Sequence, residues 1–230
     1  MQNKSTLIIV LLIVALGGWY FYSKSAAEKK ESEKVDTSEV VMQEKTPVTD
    51  GKYAFDVENS SVEWSGSKTL IADYVDTGKI TISGGYIVFA GGMPTEGSLT
   101  VDMKTIMAQK TGKGDGEDGL SKHLKSADFF DVENNPEAVF TLKSTTPVEG
   151  EAYKVLLLGD MTIKGITQEI TIPAEVYTQG GKTFIKADTK LDRTLWNIRF
   201  GSDKFFDNLA NNVISDLFEV EFQLVVKQDI

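Results

Sequence analysis

The side chains that most often perform catalysis are scarce in this chain. His123 is the only histidine, and there is no cysteine; the Gly-x-Ser-x-Gly motif of a nucleophile elbow does not occur. A Ser–His–Asp relay would have to use His123, which we interpret instead as a structural or surface residue. The lack of cysteine also excludes disulfides and thiolate sites for zinc or iron–sulfur clusters. We predict that the protein is not an enzyme and has no catalytic residue, metal or cofactor.

Acidic residues offer the remaining chemistry. The glycine-rich segment Gly112–Gly119 carries Asp115, Glu117 and Asp118, but it lacks the ligand spacing of an EF-hand and the spacing of a P-loop. We interpret it as a solvated loop. Many other carboxylates are spread along the chain and no pair stands out, so a hydrolase that acts on a lipid or glycan through two carboxylates is retained as an alternative. The formal charge of −10 argues against binding to nucleic acid.

The elements that would position these residues are mostly strands. From Phe218 to Lys227 apolar and polar residues alternate, which is typical of a strand with one buried face. The same alternation around Val62–Trp64 and Leu99–Met103 predicts two more strands. Further strands are predicted at Gly78–Ser83, Gly85–Ala90, Ala138–Lys143, Tyr153–Ile163, Glu169–Val176 and Thr183–Leu191. Many short strands without helices between them indicate an all-β fold, an antiparallel sandwich or barrel.

Glycine pairs and two apolar stretches interrupt this pattern. Gly84–Gly85, Gly91–Gly92 and Gly180–Gly181 are predicted to supply turns, the last of them within a tight hairpin. Asp118–Phe130 and Ser202–Asp216 carry apolar residues at roughly helical spacing. They are predicted as short capping helices at the rim or across an end of the sheet.

The first 51 residues are predicted to lie outside the folded domain. Leu7–Tyr22 has no charged residue, and its length as a helix approaches the ~30 Å hydrocarbon core of a bilayer. An uncleaved anchor and a cleaved secretory signal both fit this segment. Trp19–Tyr22 is similar to an interfacial aromatic belt and favours the anchor, whereas Ser25–Ala27 would serve as the cleavage site of a signal. Ser23–Gly51 is rich in Lys, Glu, Ser and Thr, which predicts a flexible charged tether.

The chain is therefore predicted to have three parts: a signal-anchor or transmembrane segment at 1–22, a tether at 23–51 and a domain at 52–230. Because only a few residues precede the apolar segment, we expect the domain to be exported. It would lie in the periplasm or at the extracytoplasmic face of a membrane, anchored by residues 7–22. The sequence leaves open whether the protein is a homodimer.

Segments of the domain resemble the polyisoprenoid-binding YceI-like family. They are Ser61–Lys68 (SVEWSGSK), His123–Val132 (HLKSADFFDV), Gly159–Thr167 (GDMTIKGIT) with Ile172-Pro173, and Leu191–Gly201 (LDRTLWNIRFG), in the family's order. The resemblance implies a lipocalin-like antiparallel β-barrel of about eight strands, closed by short helices. It also implies an apolar lumen for a long isoprenoid chain or another long-chain lipid, in a secreted or periplasmic binding protein. Asp76 departs from the family pattern, because relatives often have histidine just before the Thr-Gly pair that is Thr77-Gly78 here. An acidic side chain at this position disfavours a phosphate head group.

Candidate site residues follow from alternation within the implied barrel. The lumen is predicted to be lined by Trp64, Leu99, Val101, Phe140, Leu142, Ile163, Phe184, Trp196, Phe218, Val220 and Phe222. Four aromatic residues are predicted to cap or gate the ends, namely Phe129, Phe130, Phe205 and Phe206. Arg193 and Arg199 either form salt bridges with Asp192 at a barrel end or contact an anionic head group. Because a barrel of this size can also be packed solid, a filled structural or adaptor barrel is retained as a second alternative.

Overall fold

The structure of the chain is a computed structural model, and it describes residues 43–113 and 116–229. The predicted anchor at 7–22, its alternative cleavage site and most of the predicted tether lie outside these residues. Among the residues that are described, no helix has the length and apolar content needed to cross a bilayer.

Within the described residues, nine antiparallel strands form one sheet that closes on itself. They are β1 (Gly51–Phe55), β2 (Ser61–Ser67), β3 (Val75–Ala90), β4 (Met93–Lys110), β5 (Glu137–Pro147), β6 (Lys154–Ile163), β7 (Ile166–Gln179), β8 (Lys182–Asp192) and β9 (Leu217–Gln228). The sheet runs β3–β2–β9–β8–β7–β6–β5–β4, and the β3–β4 pairing closes it. β1 and β2 share the position between β3 and β9: Tyr53 pairs with Ile87, whereas Trp64 pairs with Gly78 further along β3. The predicted antiparallel barrel of eight strand positions is confirmed.

Period-two alternation determines which residues enter the barrel. On β9, Val220, Phe222 and Leu224 are buried, and Glu219 and Glu221 beside them are exposed. β6, β8 and β9 begin and end within one residue of their predicted bounds. Alternation predicts these strands well because one face contacts the core and the other contacts water.

The predicted turn at Gly84–Gly85 is wrong. The two glycines lie inside β3, which runs without interruption through both strands predicted on either side of them. Their φ angles are +144° and +128°, and the pairing of β3 with β4 shifts register between Ile82 and Gly84. A side chain at Gly85 would overlap the backbone of Ser98 on β4. This glycine pair therefore forms an irregularity that lets the long strand bend within the barrel wall.

One of the two predicted capping helices is present. α1 (Glu117–Lys125) occupies most of the first predicted stretch and ends at Lys125, where Ser126 donates its backbone N–H to the His123 carbonyl oxygen. The helix predicted at Ser202–Asp216 is wrong, because only a single 3-10 turn forms there, at Ala210–Asn212. Asn208 and Ala210 have φ angles of 62° and 47°, which interrupt a right-handed helix.

The end of the barrel that contains β1 is closed. Val48, Tyr53 and Phe89 are buried there, and the Tyr53 and Phe89 rings meet edge to face with centroids 5.2 Å apart. Residues 43–50, which composition assigned to the tether, cross this end. Tyr153 donates its hydroxyl proton to the Lys45 carbonyl oxygen at 2.7 Å, and residues 43–230 form one compact unit. We call this the closed end, and the opposite end the open end.

Two irregular segments and α1 lie at the open end. Backbone hydrogen bonds join the end of β2 and the loop at 68–74 to the long segment at 197–216: Thr69 N–H donates to the Val213 carbonyl oxygen, and Ser215 N–H donates to that of Ser67. α1 contacts the end of β4, where the Ser121 hydroxyl accepts the Ala108 N–H at 2.9 Å. These contacts hold the end of the barrel in one arrangement without sealing it.

Candidate functional site

The barrel interior contains an apolar cavity of about 380 Å³ that reaches the open end. This volume lies within the range of roughly 300–1,000 Å³ that is usual for small-molecule sites. Inward residues of every strand from β2 to β9 line the cavity, from Phe218 near the open end to Leu224 deep inside. Below it, residues such as Ile87, Leu142 and Val226 fill the barrel towards the closed end. The interior is thus hollow in one half and solid in the other.

Two aromatic rings cover glycines on neighbouring strands of the cavity wall. A Cβ at Gly78 would overlap the Trp64 ring, and a Cβ at Gly159 would lie 2.5 Å from Cζ of Phe140. Because glycine has no side chain, each ring can lie over the adjacent strand instead of crossing the lumen. This arrangement lets large residues form the wall and still leaves room inside.

Polar side chains lie at the mouth of the cavity. Lys68, Tyr74 and Asp76 line it there. The Lys68 Nζ lies 5.0 Å from the Tyr74 ring centroid and donates to the Asn212 side-chain oxygen at 3.4 Å. Asp76 accepts the Gly112 N–H at 2.9 Å. Burial raises the pKa of the Tyr74 phenol, and the neighbouring Asp76 carboxylate raises it further.

Asp76 also bears on the two-carboxylate alternative. It is the one acidic residue among the described residues that line the cavity. Acid catalysis on a glycoside needs a second carboxyl group facing the same bond, and the described lining supplies none. The geometry of the cavity therefore does not favour a carboxylate-based hydrolase.

His123 belongs to the wall of the mouth. Its ring meets Phe129 and Phe200 edge to face, with centroid distances of 4.8 Å and 4.6 Å. The His123 Nε2 lies 3.5 Å from a carboxylate oxygen of Asp128. Its principal contacts are therefore aromatic, and they join α1 to the segment at 197–216.

Arg193 holds the segment at 197–216 in place. Its guanidinium is buried and donates to the backbone carbonyl oxygens of Ser215, Ile198 and Ile214 at 3.0, 2.8 and 3.1 Å. The nearest carboxylate partner is Asp216, at 3.4 Å. Burial lowers the pKa of Arg193, and the carboxylates beside it oppose that shift. Arg193 lines the cavity, but most of its hydrogen-bonding capacity is used within the protein.

Asp192 is not the partner of either arginine. It caps the 3-10 turn Arg193–Trp196 by accepting the Thr194 N–H, and its other oxygen pairs with Lys204 at 3.1 Å. Arg199 places its guanidinium 4.5 Å from the centroid of the Phe205 ring. The predicted pairing with Asp192 is therefore wrong for Arg193, because the chain folds Asp216 next to that guanidinium instead.

Most of the candidate residues come together around the cavity. The lining includes eight of the predicted lumen residues and three of the predicted mouth residues, namely Trp64, Leu99, Val101, Phe140, Ile163, Phe218, Val220, Phe222, Phe129, Phe130 and Arg193. Alternation along the strands identifies the eight lumen residues, whereas Phe129, Phe130 and Arg193 lie in segments that resemble the family.

Phe184 lies on the outer face of the barrel, contrary to the prediction. Its ring packs against Tyr177 on β7, with centroids 5.5 Å apart, and the adjacent Ile185 lines the cavity. Counting back from Leu191 in steps of two places Ile185 inside the barrel and Phe184 outside.

The remaining candidates lie next to the cavity without lining it. Leu142 is buried in the core below. Trp196 is fully buried and donates its indole N–H to the Met161 carbonyl oxygen at 3.1 Å. Phe205 and Phe206 are 42% and 49% exposed, and together with Arg199 they lie outside the mouth because no helix forms at 202–216 to turn them inward.

Some wall residues were not among the candidates. They are aliphatic or sulfur-containing residues on inward positions, including Met103, Leu157, Met161, Ile172, Ile185, Leu191 and Leu224. The same alternation marks them.

Fold and cavity together define a class of protein, a closed antiparallel β-barrel with an apolar internal cavity that opens at one end. The model of the YceI-like domain matches residues 53–226, and the chain belongs to this family.

Relatives agree with this assignment. The UPF0312 protein plu2095 of Photorhabdus laumondii is 34% identical over 87 residues, which are 38% of this chain and 41% of the relative. Protein YceI of Escherichia coli O6:H1 is 32% identical over 92 residues, covering 37% of this chain and 47% of the relative. The matched part is thus less than half the length of each of these curated relatives.

Two solved structures share the fold. Burkholderia cenocepacia BcnA superposes with a TM-score of 0.60 at 20% identity, covering 75% of this chain and 99% of BcnA. A polyisoprenoid binding domain from Saccharophagus degradans, implicated in plant cell wall breakdown, superposes with a TM-score of 0.57 at 18% identity. That match covers 77% of this chain and 98% of the domain. At these identities the likeness supports the barrel fold.

Proposed function

We propose that this protein binds one long-chain isoprenoid, or a similar long-chain lipid, with the tail inside the cavity and the head at the mouth. The observation that carries the proposal is the separation of apolar and polar groups in the cavity. The strand residues that line its walls, such as Val62 and Leu224, are apolar. Lys68, Tyr74 and Asp76 lie at the opening. The description of a fold neighbour as a polyisoprenoid binding domain agrees with this ligand class.

The dimensions of the cavity suit a slender tail. Along β9 the lining extends from Phe218 to Leu224, about 20 Å at ~3.4 Å per residue. Each methylene transferred from water to such a wall contributes about 0.8 kcal/mol. A tail can therefore be held without a specific polar contact, and the depth of the cavity selects its length.

The proposed setting is an exported protein tethered to a membrane. The uncharged segment Leu7–Tyr22 would be the anchor and residues 23–42 the tether. Binding would serve storage, transfer or sequestration of the lipid, because a long tail that leaves a bilayer otherwise exposes its apolar surface to water.

The test is direct lipid binding. The fragment should begin at Gln43, because residues 43–50 pack on the closed end and the unit from Gln43 to Ile230 contains the whole closed sheet. Native mass spectrometry with lipid extraction would identify a co-purified ligand. Solanesol and geranylgeraniol would then be added from detergent micelles, with palmitate as a straight-chain comparison. A protein that carries no lipid and binds none of the three contradicts the proposal.

A further inference from the structure

Exposed apolar side chains surround the mouth of the cavity. Seven of the nine large apolar side chains exposed in the described part of the chain lie in the loops and strand ends of the open end, and one of them, Val75, is the first residue of β3. The other six, which we call the rim, are Leu70, Leu195, Phe200, Phe205, Phe206 and Leu217. Leu156, by contrast, is exposed on the outer face of β6, where it pairs with Thr146 near the closed end. Scattered exposed apolar residues are ordinary, but a cluster around one opening marks an interaction surface.

The rim is held in place by the fold. Ser202 is fully buried, and its carbonyl oxygen accepts the N–H groups of both Phe205 and Phe206. Leu195 lies in the 3-10 turn that Asp192 caps, and its carbonyl oxygen accepts a hydrogen bond from Gln168. The rim side chains are thus presented to the outside by hydrogen-bonded backbone.

We infer that the rim docks on the surface of an electrically neutral lipid bilayer, so that a tail passes from the membrane into the cavity without crossing water. This inference rests on the proposed function and adds the route by which the ligand enters. The apolar surface is continuous, because Phe200 belongs both to the rim and to the cavity lining. A lipid surface fits this continuous apolar path because it contains the tail itself.

Charge favours a neutral membrane over an anionic one. The chain has a formal charge of −10, which anionic lipids would repel. Near the rim, Lys204 is already paired with Asp192 and Asp216, and Arg199 lies over the Phe205 ring. α1 adds Lys122 and Lys125 to the open end, but it also carries Glu117 and Asp118, so charges of both signs are present there and insertion would depend mainly on buried apolar area.

The length of chain before the barrel permits this orientation. Gln43 lies at the closed end, and β3 extends over 16 residues, which gives a barrel height of about 40 Å at a strand tilt near 40°. If residues 23–42 form the predicted tether, their maximum span is about 65–70 Å at ~3.3–3.6 Å per residue. An anchored protein could therefore turn its open end towards the membrane that holds it.

The first test measures contact directly in the full chain. Because the chain has no cysteine, Phe206→Cys gives a single site for an environment-sensitive dye, and Leu156→Cys is the matched control. Both proteins are reconstituted in phosphatidylcholine vesicles that contain nitroxide-labelled lipid. We expect quenching of the dye at position 206 to exceed that at 156 by about threefold or more, because quenching requires contact with the bilayer. Equal quenching at both positions overturns the inference, as does a dye at 206 that is shielded only when a protein partner is added.

The second test separates docking from binding. The fragment 43–230 with the double substitution Leu70→Ser and Phe206→Ser should take up geranylgeraniol from phosphatidylcholine vesicles about tenfold more slowly than the unsubstituted fragment, because less apolar area inserts. Uptake from detergent micelles should be unchanged, and Leu156→Ser should behave as the unsubstituted fragment. Equal rates from vesicles overturn the rim inference and leave lipid binding intact. Failure of the unsubstituted fragment to bind any of the three lipids from micelles contradicts the proposed function, and the dye experiment still decides whether the rim meets the membrane.

Discussion

Substitution of Val101 by tryptophan distinguishes a hollow barrel from a filled one. Val101 on β4 lines the cavity, and its cross-strand partner on β5 is the small residue Ala138. An indole at this position would extend into the space of about 380 Å³. The control is Val139→Trp, because Val139 pairs with Thr100 and Thr162 and points to the outer face at the same height.

The expected change in stability is small. Extra atoms in a filled core cost roughly 1–3 kcal/mol, which in a domain of this size lowers the Tm by about 2–4 °C per kcal/mol. In the open cavity the indole instead buries apolar surface, which contributes about 25 cal/mol per Å². We therefore expect the Tm of Val101→Trp, measured by thermal unfolding, to stay within about 2 °C of the wild-type value or to rise.

Val101→Trp should weaken ligand binding strongly although it changes stability little. If the indole excludes about three methylenes of a tail, the lost transfer free energy is roughly 2.4 kcal/mol, or about a fiftyfold weaker Kd for geranylgeraniol. Val139→Trp should leave the Kd unchanged. A Tm that falls by about 5 °C or more, together with unchanged geranylgeraniol binding, would refute the reasoning, because it would mean that the interior near Val101 is full and the ligand binds elsewhere.

Three further predictions concern the cavity wall, the segment at 197–216 and an ion pair outside the cavity. Gly159→Ala should destabilise the fold by about 2–4 kcal/mol in urea unfolding, because its Cβ meets a ring and a carbonyl oxygen; Gly66→Ala, which has open space around it, should change stability by less than about 0.5 kcal/mol. Arg193→Lys should cost about 2–4 kcal/mol and speed hydrogen exchange in residues 197–216, since one ammonium cannot reach three carbonyl oxygens; protection equal to that of the wild type would exclude this role. The hydrogen bond from Lys227 lowers the pKa of Asp56, so its contribution to stability is present above the ordinary pKa of aspartate and is lost as the pH falls through the lowered value. Asp56→Asn should therefore flatten part of the decline of Tm below about pH 5, and an unchanged profile would count against the pair.

The positions of the strands, the inward face of most of them and the family could largely be predicted from the sequence. Alternation on β9 assigned Val220 and Phe222 to the interior, where the structure has them. The same method failed at Phe184 because a large apolar residue on the outer face is covered by Tyr177, a contact between strands that a one-dimensional pattern does not contain. It also failed at Gly84–Gly85, since a glycine pair is compatible with both a turn and a bend inside a strand.

Local composition and spacing gave wrong predictions at both ends of the barrel. Residues 43–50 look like tether by their polar content, yet Val48 is buried and Lys45 pairs with Glu175. Apolar spacing at 202–216 suggested a helix, yet Arg193 and the backbone of the loop at 68–74 take up its carbonyl oxygens in other hydrogen bonds. In both cases a distant segment provided partners that local sequence does not reveal.

The sequence by itself determined the all-β class, the inward face of most strands and the family, because period-two alternation and local motifs are properties of neighbouring residues. Only the tertiary structure decided that the interior is hollow at one end and solid at the other. That outcome depends on how side chains from eight strand positions share one volume, for example whether the rings of Trp64 and Phe140 cross the lumen or lie over Gly78 and Gly159. The sequence fixes the total volume of the inward side chains, but the closure of the barrel fixes how much of the lumen they leave empty.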